Sequence, residues 1–210
     1  MKHKLIVFDI DETLFTTIEP DEYRDVKVKY KYDYSLTHGG TEYRAYRRPY
    51  LKEFMKFCEK NFEYIGIWTN ADNMWMEKFI RNLIPETNLL FTYHREYSER
   101  VMYNGQSIKT KPLRKIFEKY RHLGINPSNT FIIEDSPENC IQNINNYIPV
   151  PEFNVVKREN DITLPLLAAF IMELNPEKDI RNQLKNKKHN WRNEMLKKYI
   201  KTNNMNFLKF

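Results

Sequence analysis

The sequence predicts an α/β fold in which helices cover both faces of a parallel sheet. Three short apolar runs are typical of buried strands, at Lys4–Asp9, Phe62–Thr69 and Thr130–Ile133. Segments with helical periodicity separate these runs, and strands that alternate with helices favour a parallel sheet. Each run also leads into polar side chains, at the position where open α/β sheets bind their ligands.

A hairpin is predicted after the first strand. Residues 25–34 alternate between charged and apolar or aromatic side chains, which is the period of a half-exposed strand. Gly39-Gly40 supplies a tight turn, and Glu42–Arg47 is expected to return antiparallel. No helix follows these glycines, so they predict a turn rather than a phosphate-binding loop.

Two helices are predicted on either side of the second buried strand. Pro49 suits the first turn of a helix, and apolar residues then recur at the spacing of one helix face. These residues are Leu51, Phe54, Met55 and Cys58. The stretch Ala71–Leu83 predicts the second helix, with four residues turned inward: Met74, Trp75, Phe79 and Leu83.

The second half of the chain continues the alternation. Val101–Ile108, with Asn104-Gly105 at its centre, predicts another hairpin. Pro112–Leu123 predicts a helix that ends at Gly124. A last helix is expected at Leu164–Leu174, after the third buried strand.

Composition excludes several classes of protein. The 210 residues suit one domain, and a content of 41% hydrophobic and 14% aromatic residues excludes a disordered chain. No apolar stretch approaches the roughly 20 residues of a membrane helix, and Asp9 interrupts the first apolar run before a signal peptide could form. Cys58 and Cys140 provide neither a disulfide framework nor a zinc site. We therefore expect an intracellular protein, cytoplasmic or nuclear, with no membrane partner.

The charge is distributed unevenly along the chain. Residues 176–210 hold ten lysine and arginine residues against three acidic residues, a net charge of +7. The whole chain carries +6, which leaves −1 for residues 1–175. The basic stretch is predicted to be helical, with an apolar face that comprises Ile180, Leu184, Trp191, Met195, Leu196, Tyr199 and Ile200. We expect a domain at residues 1–175 and a basic helical extension at 176–210 that packs on it. An acidic partner or a nucleic acid bound by the extension is the alternative.

Polar residues at the ends of the three strands are expected to meet at one edge of the sheet. They are Asp9-Asp11, Thr69-Asn70 and Glu134-Asp135. Residues two apart in an extended chain point the same way, so Asp9 and Asp11 present two carboxylates that resist double ionisation. Such a pair can act as a nucleophile with an acid or base, or as metal ligands.

The segment Asp9-Ile-Asp-Glu-Thr13-Leu-Phe resembles the first motif of the haloacid-dehalogenase superfamily of phosphotransferases. Glu12 points to the branch of RNA polymerase II C-terminal-domain (CTD) phosphatases and NLI-interacting-factor-like enzymes, which includes small and Dullard-like members. Further segments resemble the motifs of that branch and keep their order: Arg47-Arg48-Pro49, Ile67-Trp68-Thr69-Asn70, His94-Arg95-Glu96, Lys111-Pro-Leu and Ile132–Asn139. The resemblance covers residues 4–174.

The resemblance implies a Rossmann-like core with a central parallel sheet and a small β-hairpin insertion at residues 14–48. Neither residues 14–48 nor residues 71–110 are expected to hold a large cap domain. An uncapped site is open, and it suits a phosphate carried by a macromolecule better than a small metabolite.

A chemical mechanism is also implied. Asp9 would attack phosphorus and form an aspartyl phosphate, while Asp11 would protonate the leaving oxygen and then activate water. Thr69 would bind a phosphoryl oxygen, and Lys111 would stabilise charge during transfer. Other contacts to phosphate or substrate are implied for Ile10, Glu12, Thr13, Asn70 and Arg95.

Mg²⁺ is the implied cofactor, because a carboxylate that attacks a phosphate dianion meets like charge. The implied ligands are Asp9, the backbone carbonyl of Asp11 and the pair Glu134-Asp135. The branch usually has aspartate where this chain has Glu134. Asp135 is therefore the favoured direct ligand of the pair, and the alternative is a Glu134 that reaches the metal through water. Asn70 also departs from the branch, which often has a small residue there.

The predicted function is hydrolysis of phosphomonoesters, with phospho-Ser/Thr on a protein as the substrate. A phosphatase of nucleic-acid ends or nucleotides is the alternative, in which the basic extension would hold the strand. A third alternative is a non-catalytic binding module of the same fold, since the branch includes such members. The retained Asp9, Asp11, Thr69 and Lys111 argue against this third alternative.

Overall fold

The computed structural model describes residues 1–19, 21–22 and 30–202. Residues 25–29 of the strand predicted at 25–34 lie outside the described residues, as does the end of the basic extension. Residues 30–33 are described and form no strand, so the prediction is wrong there. The chain bends at Asp33, and the strand begins only at Tyr34.

The described residues form ten strands and six α-helices. In chain order the strands are β1 (His3–Phe8), β2 (Phe15–Ile18), β3 (Tyr34–His38), β4 (Thr41–Arg47), β5 (Phe62–Trp68), β6 (Phe91–Tyr93), β7 (Glu99–Tyr103), β8 (Gln106–Thr110), β9 (Thr130–Glu134) and β10 (Tyr147–Pro149). The helices are α1 (Leu51–Asn61), α2 (Asn73–Leu83), α3 (Arg114–Lys119), α4 (Thr163–Met172), α5 (Ile180–Leu184) and α6 (Trp191–Thr202).

A five-stranded sheet with the order β10-β9-β1-β5-β6 forms the centre of the fold. All of its neighbouring strands pair in parallel. The apolar side chains of β1 and β9 are buried because helices cover both faces, which explains why these strands are continuous apolar runs. The predicted α/β class with a central parallel sheet is confirmed.

The insertion after β1 contains a small antiparallel sheet with the order β2-β4-β3. Gly39 and Gly40 join β3 to β4 with φ angles of 57° and 84°, which favour glycine. The predicted turn and return strand are confirmed, whereas the first strand of the hairpin is Tyr34–His38 instead of 25–34. β2, which was not predicted, pairs with β4 and makes the hairpin a three-stranded sheet. Among the described residues, neither this insertion nor the stretch 71–110 forms a large cap.

Helix α1 buries the four residues that its spacing predicted. It begins at Leu51, after Tyr50 with a φ of 66°, so Pro49 precedes the helix rather than lying in its first turn. Helix α2 buries Met76, Phe79 and Leu83, whereas Met74 is 51% exposed.

The prediction for Met74 is wrong because Met74 lies five residues before Phe79, about 140° away around the helix. Helix α2 also starts later than expected. The Asp72 side chain accepts a hydrogen bond from the backbone N–H of Trp75 and caps the helix, so Asn73 is its first residue. Met76, Phe79 and Leu83 then define the inward stripe, and Trp75 lies half-buried at its edge.

Later elements agree with the prediction in type and differ in length. The β7–β8 hairpin turns at Asn104-Gly105 as expected. The predicted helix 112–123 is divided into α3 and a 3₁₀ turn at Arg121–Leu123, and Gly124 ends it with a φ of 76°. Helix α4 lies almost entirely in the core.

The basic extension contributes to the main hydrophobic core. Ile180, Leu184, Trp191 and Met195 are buried in it, and the indole N–H of Trp191 donates to the Pro149 carbonyl at 2.8 Å. Leu196 and Tyr199 pack against this core, but Ile200 is 67% exposed and does not belong to the apolar face. None of the described helices combines the length and the apolar character that a membrane span requires.

Candidate active site

The polar ends of β1, β5 and β9 lie at one edge of the sheet. These strands are parallel neighbours, so their carboxyl ends point the same way. The backbone N–H of Asp9 donates to the Ile133 carbonyl at 3.0 Å, which places Asp9 beside Glu134. The expected convergence of the strand ends is therefore observed.

Lys111 lies between two of these carboxylates and is completely buried. Its Nζ contacts Asp9 Oδ1 and lies 2.5 Å from Glu134 Oε2. The Lys111 backbone is fixed on both sides, because its N–H donates to the Asn139 carbonyl at 2.9 Å and its carbonyl accepts from Asn143 Nδ2 at 2.5 Å. The ammonium group of Lys111 is thus buried and held against Asp9.

The charges of this cluster balance only in part. Burial raises the pKa of Asp9 to about 6, against the opposing pull of Lys111. Burial and the charge of Asp9 likewise raise the pKa of Glu134 well above its usual value. Burial alone would lower the pKa of Lys111, but the two carboxylates outweigh it and raise that pKa. Lys111 therefore stays charged, and burial makes Asp9 and Glu134 harder to ionise than free carboxyl groups.

Asp11 has a hydrogen bond to each oxygen of its carboxylate. The Thr69 hydroxyl donates to Oδ2 and the Trp75 indole N–H donates to Oδ1, both at 2.9 Å. Burial raises the pKa of Asp11, and these two hydrogen bonds oppose the shift. The contact of Thr69 with a phosphoryl oxygen stays a prediction.

Asp135 joins the loop after β1 to the end of β9. Its Oδ1 accepts from the Thr13 hydroxyl at 3.0 Å, and its Oδ2 accepts from the Ser136 hydroxyl at 3.2 Å. Glu134 uses its second oxygen, Oε1, to accept from Asn139 Nδ2 at 3.2 Å. The side chains of Glu134 and Asp135 therefore have different surroundings, one against Lys111 and the other against Thr13.

The loop between Asp9 and Thr13 has a bend at Glu12, where φ is 55°. The Glu12 side chain accepts from the Thr16 hydroxyl at 3.2 Å, and burial together with the charges of Asp11 and Asp135 raises its pKa to about 8. The side chain of Ile10 lies in the core. Phosphate binding by the backbone of this loop stays a prediction.

Asn70 belongs to a chain of hydrogen bonds directed at Glu134. The Ser98 hydroxyl donates to Asn70 Oδ1 at 2.6 Å, and Asn70 Nδ2 donates to Asn139 Oδ1 at 3.0 Å. Arg95 is exposed, and its backbone N–H donates to the Ala71 carbonyl at 2.9 Å. Contacts of Asn70 and Arg95 with phosphate or substrate stay predictions.

Three carboxylates have the spacing of a metal site. Asp9, Glu134 and Asp135 each offer an oxygen, and these oxygens all lie within 4.8 Å of one another. Carboxylate oxygens are the ligands that hard divalent cations such as Mg²⁺ prefer. The donor set therefore fits the implied metal.

Sequence reasoning missed two contacts of this site. Trp75 was predicted only as a core residue of α2, although its indole binds Asp11. Arg48 was predicted only as part of a helix start, although its guanidinium is buried and donates to the Thr13 carbonyl at 2.9 Å. A tryptophan seven residues after a strand end carries no recognisable signal for such a contact.

The parallel sheet with acidic residues at its carboxyl edge defines the class of an α/β protein with an acidic site at the strand ends. Residues 4–181 match the family of NLI interacting factor-like phosphatases. The chain belongs to this family, and the predicted branch is confirmed.

Individual relatives are more distant. The chain is 31% identical over 85 residues to a CTD phosphatase-like protein, 355R, of Invertebrate iridescent virus 3, a match that covers 40% of this chain and 45% of the viral protein. The solved structure of Fcp1, an essential RNA polymerase II CTD phosphatase, is 20% identical with a TM-score of 0.54, and the match covers 73% of this chain and 42% of that one.

A fission yeast Fcp1 variant bound to beryllium fluoride is 17% identical with a TM-score of 0.49, and the match covers 92% of this chain and 56% of that one. This chain thus spans about half the length of these relatives.

Proposed function

We propose that this protein is a Mg²⁺-dependent phosphatase that removes phosphate from phosphoserine or phosphothreonine in proteins. The observation that carries the proposal is the buried Lys111 held between Asp9 and Glu134 at the carboxyl edge of the sheet. A carboxylate attacking a phosphate needs positive charge fixed beside it, and burial strengthens the effect of such a charge.

Asp9 is the proposed nucleophile and Asp11 the proposed acid and base. In the first step an Asp9 oxygen bonds to phosphorus, the bond from phosphorus to the seryl or threonyl oxygen breaks, and Asp11 gives that oxygen a proton. In the second step water attacks the aspartyl phosphate, Asp11 takes a proton from it, and Asp9 leaves as a carboxylate. Both residues return to their starting protonation states.

The surroundings of the two acids support different roles for them. Lys111 stabilises negative charge around Asp9, whereas Thr69 and Trp75 orient Asp11. A carboxylate next to a fixed cation can attack phosphorus at neutral pH. A buried carboxylate with a raised pKa is suited to carry a proton.

We propose Asp9, Asp135 and the backbone carbonyl of Asp11 as the metal ligands. When bound, Mg²⁺ would neutralise phosphate charge that otherwise repels the nucleophile. Glu134 already contacts Lys111 and Asn139 through its two oxygens, so we assign it chiefly to holding Lys111 in place. The carboxylate of Asp135 lies beside Thr13, in the loop that carries Asp11.

The proposed substrate follows from the family and from the open edge of the sheet. The small β2-β4-β3 sheet is the element inserted after β1, and an uncapped edge suits an extended phosphorylated segment. Contacts with the phosphate or its flanking chain are proposed for Ile10, Glu12, Thr13, Asn70 and Arg95.

The test is phosphate release by the full chain with Mg²⁺, comparing wild type with Asp9→Asn. We expect release from phosphoserine and phosphothreonine peptides to fall at least about 10³-fold in the variant, because the nucleophile is lost. Chelation by EDTA should stop the wild-type reaction, and added Mg²⁺ should restore it. Asp179→Asn is the control, since Asp179 contacts Arg181 and no residue of the acidic cluster.

Phosphorylated oligonucleotides, tested at low and moderate salt, separate the proposed substrate from its alternative. A preference for oligonucleotides that weakens as salt rises would replace the protein substrate with nucleic-acid ends. Absence of release from every substrate would contradict the enzyme and favour a binding module.

A further inference from the structure

The Asp11 carboxylate has two donors of different chemistry. An indole N–H can only donate, whereas a hydroxyl can both donate and accept. Trp75 donates to Oδ1 and Thr69 to Oδ2, and the Thr69 hydroxyl also accepts from the Ala71 backbone N–H at 2.9 Å. The two oxygens are therefore not equivalent.

The bond from Trp75 fixes where Oδ1 lies, and it therefore also fixes the direction in which Oδ2 faces. From this geometry we infer that Trp75 is a positioning residue which holds the Asp11 carboxylate in the orientation that its proposed acid step needs. The inference deepens the proposed function and rests on it.

The Trp75 ring is itself held in place by two elements. Its backbone N–H donates to the Asp72 side chain that caps α2, at 2.9 Å. The β3–β4 hairpin packs two rings edge-on against the indole, His38 at 5.5 Å and Tyr43 at 5.2 Å between ring centroids. A ring fixed from both sides can orient a neighbouring carboxylate without losing further conformational entropy.

This role predicts a dependence on the leaving group. In the proposed first step the proton moves from Asp11 to the leaving oxygen as the bond from that oxygen to phosphorus breaks. A seryl alkoxide is a poor leaving group and needs that proton. The 4-nitrophenolate ion is stable without it, so its departure depends far less on how Asp11 is placed.

The experiment compares kcat/KM of wild type and Trp75→Phe for a phosphoserine peptide and for 4-nitrophenyl phosphate. The constant kcat/KM reports the step that transfers phosphate to Asp9 and leaves out the later hydrolysis. We expect a loss on the order of 10- to 100-fold for the peptide, a part of the 10²- to 10⁴-fold that acid–base catalysis contributes, and less than about threefold for 4-nitrophenyl phosphate. Trp75→Tyr offers an O–H donor and should recover part of the peptide activity.

The matched control is Trp191→Phe. It removes a different, buried indole donor, the one that binds the Pro149 carbonyl, and it leaves Asp11 untouched. This variant should lower both rates equally or not at all.

Equal losses on the two substrates in Trp75→Phe, or no loss on either, would overturn the inference.

A second measurement leaves Trp75 unchanged. It compares the rate of hydrogen exchange of the Trp75 indole N–H in the wild type and in Asp11→Ala. We expect exchange to accelerate in Asp11→Ala, and unchanged exchange would also overturn the inference. Failure of the proposed function is distinguishable, since the wild type would then hydrolyse neither substrate or Asp9→Asn would remain active.

Discussion

At the scale of single residues, Arg48 shows how the site loop is held from the protein interior. Its guanidinium is 1% exposed and donates to the Thr13 carbonyl at 2.9 Å and to the Pro151 carbonyl at 2.8 Å. It also pairs with Asp161 at 3.1 Å. One side chain thus joins the loop that carries Asp11 to two segments near the end of the core.

Replacing Arg48 is expected to destabilise the protein strongly. Arg48→Met leaves the Asp161 carboxylate without its cation and two carbonyls without a donor in the protein interior, so we expect the free energy of unfolding to fall by about 3–5 kcal/mol. Urea denaturation monitored by circular dichroism measures this change. Arg158→Met is the control, because Arg158 pairs with Asp33 near the surface and should cost less than about 1 kcal/mol. Similar small losses in both variants would contradict the role of Arg48.

The residues that could be predicted from sequence are those whose chemistry appears in a local motif. Asp9 and Asp11 lie in one short segment, and their convergence with Glu134 follows from the strand pattern. Trp75 and Arg48 could not be assigned, because their partners are remote: Asp11 is 64 positions from Trp75, and Asp161 is 113 positions from Arg48. Only the folded chain brings these donors to their acceptors.

At the scale of elements, the length of a strand decided whether the sequence could predict it. Strands β1, β5 and β9 have five to seven residues, long enough for an apolar run to stand out. Strands β6 and β10 have three residues each, too few for a period to be recognised. These two short strands complete the sheet by pairing with β5 and β9, so tertiary context rather than local sequence defines them.

Strand β5 has a close contact that a single methyl group would disturb. A Cβ on Gly66 would lie 2.3 Å from the ring of Phe91 on β6, so Gly66→Ala should lower the free energy of unfolding by about 1–3 kcal/mol. Chemical denaturation measures the loss.

A second substitution tests whether this contact is the cause. Phe91→Leu removes the ring, so the double variant should lose less stability than the two single losses combined, by at least about 0.5 kcal/mol. Strict additivity would mean that Gly66 matters for another reason, such as strand geometry.

At the scale of the whole molecule, charge and packing divide the chain differently. Charge separates a nearly neutral stretch, residues 1–175, from a basic one, residues 176–210. The four most deeply buried residues of the basic stretch nevertheless belong to the main core: Ile180, Leu184, Trp191 and Met195. A boundary at residue 175 for the phosphatase domain therefore stays a proposal about organisation, and the stability of that domain is expected to depend on the basic stretch.

Truncation after residue 175 tests this dependence. It removes four buried side chains, each contributing roughly 1.5–3 kcal/mol by burial, and the total is comparable to the 5–15 kcal/mol that stabilises an ordinary domain. We expect residues 1–175 alone to be largely unfolded in circular dichroism and urea denaturation at 25 °C.

Point variants in the full chain test the same dependence. Leu184→Ala should lower the free energy of unfolding by about 2–5 kcal/mol, because it removes one of these buried side chains. Lys178→Gln and Lys185→Gln remove only exposed charge and should change stability by less than about 0.5 kcal/mol. A truncated chain as stable as the full one would show that the basic stretch does not stabilise the domain. The role of the stretch would then have to be explained by its charge rather than by its packing.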